Sequence, residues 1–203
     1  SEADVIVCNG LHLEGKMGEL FEKLEKQQSI IVATDAIAKE DLINNTEFQG
    51  AYDPHIWFDV QLWSNATEHI SKELRSLVSD SAAQVFQANT QKYTEGLIDL
   101  HDAILSNFKN IDPQQKVLIT AHDAFGYFGR AYGFEVRGLQ GISTTSEYGL
   151  KDVSDLVNFI IEREVKAVFV ETSVSSKSLE AIVEGCKEKD HEVKIGGKLY
   201  SDA

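Results

Sequence analysis

Six large apolar residues, Phe86, Tyr93, Leu97, Leu100, Ile104 and Phe108, follow one another at steps of 7, 4, 3, 4 and 4. Residues so spaced share one face of a helix. The spacing predicts a single amphipathic helix over about 81–110, ended by Asp112-Pro113, because proline inside a helix loses a hydrogen bond and clashes with the preceding turn. At 1.5 Å per residue such a helix reaches roughly 45 Å. That is longer than one small domain needs, so the helix is expected to run between two lobes.

Both flanks carry strand and helix patterns. Before the long helix, Val5-Ile6-Val7-Cys8 and Ser29 to Ala33 read as buried strands. Leu13, Met17, Leu20, Phe21 and Leu24 predict a helix over 11–24, residues 39–50 read as loop, and a further helix is expected over about 61–78. After Pro113 the alternation is regular. Strands are expected at 116–120, 134–137 and 167–170, with one or two more between His191 and Tyr200. Helices are expected at 124–132 (closed by Gly133), 151–164 and 176–189, and a loop at 138–149. Repeated βα units imply an α/β fold with mainly parallel sheets and helices on both faces. The expected organisation is a partial N-terminal α/β lobe at 1–80, the linking helix at 81–111 and a C-terminal α/β lobe at 112–203.

Composition narrows the function. The 203 residues hold 19 Lys and Arg against 33 Asp and Glu, a net charge of −14. Such a chain repels phosphate backbones and anionic lipid, which argues against nucleic-acid and membrane-surface binding. No apolar run approaches the roughly 18 residues of a membrane span, so the chain is not expected to cross a bilayer. Two cysteines make neither a zinc-cysteine site nor a multi-bridge framework.

In open α/β sheets ligands bind beyond the carboxyl ends of the strands. Three such ends carry Ala121-His122-Asp123, Glu171-Thr172-Ser173 and Ser201-Asp202, while His55 lies in a loop behind Pro54. Imidazole nitrogens with a carboxylate suit a borderline cation such as Zn²⁺ or Mn²⁺, and disfavour Cu(I), Ca²⁺ and Mg²⁺. Separations of 67 residues (55 to 122) and 80 residues (122 to 202) leave nothing local to tie these residues together. By residue type alone His55 could be a surface or capping residue, Asp202 a turn residue and Glu171 a cap. His12, His69, His101 and His191 read as solvated. The chain has no G-x-S-x-G elbow, no P-loop and no G-x-G-x-x-G after a strand. The His122-Asp123 pair resembles the doublet of HD-type metal phosphohydrolases, but the further helical His and Asp residues those sites need are not in register. A zinc-dependent hydrolase with an open metal position, and Glu171 as its general base, is the alternative from another class.

Taken as a set, Asn9-Gly10-Leu11-His12-Leu13-Glu14-Gly15, Asp53-Pro54-His55-Ile56-Trp57-Phe58-Asp59, Ala121-His122-Asp123-Ala124-Phe125-Gly126-Tyr127-Phe128 and Leu199-Tyr200-Ser201-Asp202-Ala203 resemble the zinc/manganese solute-binding proteins of bacterial ABC transporters, the TroA-like members above all. The segment 138–147 also matches the family loop after the third motif. The resemblance covers the whole chain. It implies two α/β lobes joined by one long rigid helix, a single divalent metal between them, and His55, His122 and Asp202 as metal ligands. The function it implies is capture of Zn²⁺ or Mn²⁺ on the periplasmic or extracellular face of the cytoplasmic membrane, by a soluble or lipid-anchored protein. The metal then passes to a membrane permease, with lobe movement transmitted through the helix and no reaction catalysed.

Histidine at 122, where manganese-selective members often carry Glu, supports zinc; the missing His-rich acidic loop leaves manganese open. Val60 stands where the family commonly has proline. Members are often labelled adhesins, but no motif here resembles an adhesion surface. The family's first histidine ligand lies upstream of the N-G-L motif, and a helix follows the C-terminal aspartate. The chain is therefore expected to be a fragment cut at both ends, with an incomplete N-terminal lobe and three of four ligands, the fourth position being open or filled by water.

Overall fold

The computed structural model describes residues 3–45, 50–142 and 149–202. The chain divides into two compact units, Ser1–Asn107 and Phe108–Ala203. In the first unit, β1 (Val5–Cys8) pairs in parallel with β2 (Ser29–Val32), with Val5 opposite Ser29 and Cys8 opposite Val32. Between them lies α1 (Gly18–Leu24). The helix expected from residue 11 starts late for a local reason: Gly10, Leu11, His12 and Gly15 all have positive φ, and a right-handed helix cannot pass through them. The apolar spacing at Leu13, Met17 and Leu20 does not mark a buried face either, since all three side chains are exposed.

The helix expected over 61–78 is α2 (Val60–Ser76). The Asp59 carboxylate accepts the N–H groups of Gln61 at 3.0 Å and Leu62 at 3.3 Å, capping the helix start. Val60 is then the first helical residue, the position at which proline is best tolerated. Helix α2 packs on β2 and on short 3₁₀ turns at Ala33–Ala36 and Ile56–Phe58, burying Ile31, Ala33, Ile56, Leu62 and Ala66. Residues 39–50, expected to be loop, hold a 3₁₀ turn at Lys39–Asp41 and an isolated bridge from Asn44 to Tyr52. Helix α3 (Asp80–Phe108) runs unbroken for 29 residues, about 43 Å at the standard rise.

The second unit is a four-stranded, all-parallel sheet. Its strands are β3 (Val117–His122), β4 (Glu135–Gln140), β5 (Ala167–Glu171) and β6 (Lys194–Leu199), in the order β4-β3-β5-β6. The connecting helices are α4 (Gly126–Tyr132), α5 (Leu150–Glu162) and α6 (Lys177–Lys187). From β3 the chain steps outward through α4 to β4, then back across β3 through α5 to β5. Right-handed crossovers put α4 on one face and α5 with α6 on the other. The α5–α6 face closes on Ile119, Leu139, Val168, Val170, Ile160, Leu179 and Ile182, all buried. Elsewhere in this unit Phe108, the last residue of α3, stacks edge-on against Phe134 at 4.9 Å and Phe128 at 6.1 Å between ring centres.

Three strands run further than expected. β3 continues through His122, β4 through Gln140 and β5 through Glu171, because His122 still pairs with Gln140 and Glu171 with Leu199 across the parallel ladder. The loop expected from residue 138 therefore begins after Gln140, and its residues 143–148 lie outside the described residues.

Gly138 of β4 faces the chain just past β3: a Cβ there would meet the Asp123 backbone nitrogen at 2.6 Å and Cα at 2.7 Å. Gly138→Ala should cost about 1–3 kcal/mol by overpacking. Gly197→Ala, where nothing lies within 4 Å, should fall within about 0.5 kcal/mol of wild type. Urea unfolding of the two variants checks the contrast.

Candidate metal centre

The strand order of the second unit creates a switch point. The connection leaving β3 goes to one face of the sheet and that leaving its neighbour β5 goes to the other, which opens a crevice at their carboxyl ends. His122 is the last residue of β3 and Glu171 the last of β5. Both are buried, at 0% and 1% exposure.

Glu171 holds the two ends together. Its Oε2 accepts the Ala121 N–H at 3.1 Å and its Oε1 accepts the His122 N–H at 3.0 Å. Burial pushes the carboxyl above its usual range, and the N–H groups donated by His122 and Ala121 pull the other way. With both oxygens engaged by backbone and the side chain shut from solvent, Glu171 is poorly placed to serve as a general base toward a metal-bound water. Its part is to fix the backbone that carries His122.

The His122 ring is oriented by its Nδ1, 2.8 Å from the Gly141 carbonyl oxygen. A carbonyl only accepts, so Nδ1 carries the hydrogen, and in the neutral tautomer this leaves the lone pair at Nε2. Nε2 lies 3.4 Å from Asp202 Oδ2. A neutral Nε2 and a carboxylate oxygen are both electron-pair donors, and a cation between them reconciles the pair. Bonds of about 2.0–2.2 Å at a tetrahedral angle give an N···O edge of about 3.4 Å, which is the separation found. Asp202 remains 22% exposed. It follows Ser201, whose hydroxyl meets that of Ser173 at 2.8 Å, tying the loop after β6 to the loop after β5.

In the first unit His55 is 1% exposed. Its Nδ1 lies 2.6 Å from Asp53 Oδ1, and the same oxygen accepts the His55 backbone N–H at 3.0 Å. Asp53 is itself buried. This too leaves Nε2 as the donor atom, with a carboxylate behind the ring to raise its basicity, an arrangement characteristic of metal-ligating histidines.

The second unit thus brings His122 and Asp202 together and adds Glu171, while His55 has its own buried support in the first unit. Of the remaining histidines, all expected to be solvated, only His12 is exposed. His12 sits in the left-handed turn and not in a helix, and is exposed. His69 and His101 are helical but half-buried, and half-buried His191 directs Nε2 to the Val165 carbonyl oxygen at 2.8 Å. Asp53 and the Gly141 carbonyl received no role from the sequence. Asp53 stands inside the D-P-H motif, two residues from the ring it serves, so its signal was local; the carbonyl left none.

A family model described as zinc-uptake complex component A, periplasmic (ZnuA), matches residues 1–203. The manganese-binding lipoprotein MntA of Bacillus subtilis (strain 168) is 47% identical over 201 residues, 99% of this chain and 65% of that protein. The zinc-binding protein TroA of Treponema pallidum (strain Nichols) is 41% identical over 201 residues, 99% of this chain and 64% of that protein. A solved structure of the periplasmic zinc-binding protein TroA from Treponema pallidum matches with a TM-score of 0.94 over 99% of this chain and 72% of that one. The chain therefore spans about 65% of the length of these curated relatives.

Glu171→Gln sets an amide N–H against a backbone N–H in a buried place. It should destabilise the protein by about 1–3 kcal/mol, read by chemical denaturation without metal.

A family model that matches every residue, with an α/β fold shared at high structural similarity, establishes that this chain belongs to the ZnuA family.

Proposed function

We propose that this chain is the metal-capturing part of a solute-binding protein outside the cytoplasmic membrane, soluble or lipid-anchored. It takes up Zn²⁺ or Mn²⁺ through His55, His122 and Asp202 and delivers the ion to an ABC transporter permease. The observation that carries this reading is the His122–Asp202 pair: a ring locked by its Nδ1, with Nε2 facing a carboxylate oxygen at 3.4 Å. The matching preparation of His55 by Asp53 supports it, as does the similarity to the manganese-binding MntA and the zinc-binding TroA. Among the described residues no helix is long and apolar enough to cross a membrane.

The metal here is cargo and no bond of a substrate is broken. Capture exchanges the ion's water for two neutral imidazoles, each oriented through its Nδ1, and the more exposed Asp202 carboxylate. The donor set contains no thiolate, and affinity in such a set follows the usual divalent order, with Zn²⁺ above Mn²⁺.

Calorimetric titration of the purified protein tests this. One Zn²⁺ per chain is expected, with tighter binding than Mn²⁺, and His122→Ala should abolish measurable high affinity. Asp53→Ala should weaken binding about 10–100-fold through the lost support of the His55 ring. Imidazole ligates only in its neutral form, so binding should weaken on acidification. Unchanged Zn²⁺ affinity in His122→Ala would overturn the assignment.

A further inference from the structure

The N-G-L motif supplies no ligand, yet Asn9 is hydrogen-bonded through its backbone N–H, its carbonyl oxygen and its side-chain amide. It follows β1, and its surroundings form a small rigid hub. The Glu14 carboxylate accepts the Asn9 N–H at 2.5 Å and the Gly10 N–H at 3.2 Å. The Asn9 carbonyl oxygen accepts both the Thr34 N–H at 3.1 Å and the Thr34 hydroxyl at 2.8 Å, joining the ends of β1 and β2. Gly10 has φ +90°, and a Cβ there would meet Val32 Cγ1 at 2.5 Å and Thr34 Oγ1 at 2.6 Å, so only glycine fits.

With its backbone held this way, Asn9 points its side chain at one acceptor outside the turn. Its Nδ2 donates to the Pro54 carbonyl oxygen at 3.0 Å, and also to the Gly10 carbonyl oxygen at 3.2 Å. The Pro54 oxygen and the His55 N–H belong to the same planar peptide unit. At one end of that plane the Pro54 oxygen accepts from the Asn9 amide and from the Ile56 N–H at 2.9 Å, and at the other Asp53 Oδ1 accepts the His55 N–H at 3.0 Å. Proline's ring already fixes its φ, so the remaining freedom of this peptide is rotation about the Pro54 ψ. Such a rotation would disturb these hydrogen bonds together, the long-range one from Asn9 included, and swing the His55 ring.

We propose that Asn9 is a positioning residue for metal binding: with Glu14 and Thr34 holding its backbone, its amide fixes the Pro54–His55 peptide and so aims the His55 Nε2. This rests on His55 being a ligand. It gives the first motif a function although no atom of it touches the ion.

The test is Co²⁺ titration of the purified protein, read by visible d–d absorption, which reports coordination geometry, alongside Zn²⁺ affinity and thermal unfolding. Asn9→Ala should lower Zn²⁺ affinity about tenfold or more and reduce or shift the Co²⁺ bands. Asn9→Asp, equal in size but with oxygen facing the Pro54 oxygen, should act in the same direction, and serves alone if the alanine variant does not fold. Thr90→Val, which removes the hydroxyl that donates to Ser71 at 2.6 Å between α3 and α2, should lower thermal stability while the Co²⁺ spectrum stays as in wild type. His55→Ala should abolish the wild-type spectrum. Wild-type spectrum and affinity in folded Asn9→Ala or Asn9→Asp, with His55→Ala defective, would overturn the positioning role alone. Wild-type binding in His55→Ala would overturn the ligand assignment and this role with it.

Discussion

An imidazole is a reliable metal donor only when its other nitrogen is held, and both histidines meet that condition with different acceptors. His55 gives its Nδ1 to the buried Asp53 carboxylate at 2.6 Å, and His122 gives its Nδ1 to the Gly141 carbonyl at 2.8 Å. Either bond fixes the tautomer and the ring plane. They differ in charge: an anionic acceptor strengthens the basicity of the ring more than a neutral carbonyl does. In the proposed site His55 would accordingly be the stronger donor of the two, and His122 would depend more on the Asp202 carboxylate beside its Nε2.

Much of the surrounding structure holds these acceptors in place. The β4-β3-β5-β6 order puts the ends of β3 and β5 at the switch point of the sheet, and Glu171 bridges them through two backbone N–H groups. A buried carboxylate is costly to desolvate unless its oxygens are hydrogen-bonded, and here the bonds go to the two residues whose position matters most. The Ser173–Ser201 contact extends the same bracing to the loop that carries Asp202. In the first unit Asp59 caps α2, so the D-P-H-I-W-F-D motif contains a histidine, the carboxylate that orients it and the cap of the helix that follows.

What the sequence made legible was periodic or carried in compact motifs. The α3 pattern repeats over about six turns, enough for the spacing to fix its type and nearly its ends. The βα alternation after Pro113 gave the parallel sheet, and the motifs gave His55, His122 and Asp202 as candidate ligands. Illegible features depended on pairing or backbone conformation. His122 and Glu171 looked like residues after their strands because polar side chains resemble stops, whereas the ladder carries both strands through them. The start of α1 was misplaced because positive φ at Leu11 and His12 leaves no mark in an apolar pattern. The Asn9–Pro54 bond spans 45 residues and has no periodic signal.

Histidine side-chain ¹⁵N NMR, recorded without and with one equivalent of Zn²⁺, is the most direct test of the account. Without metal, His55 and His122 should both be neutral rings with hydrogen on Nδ1. With Zn²⁺, the Nε2 signals of those two residues should move to metal-bound positions while His12, His69, His101 and His191 stay unchanged. An Nε2–H tautomer at either site, or Zn²⁺ shifts that fall on other histidines and spare these two, would contradict it.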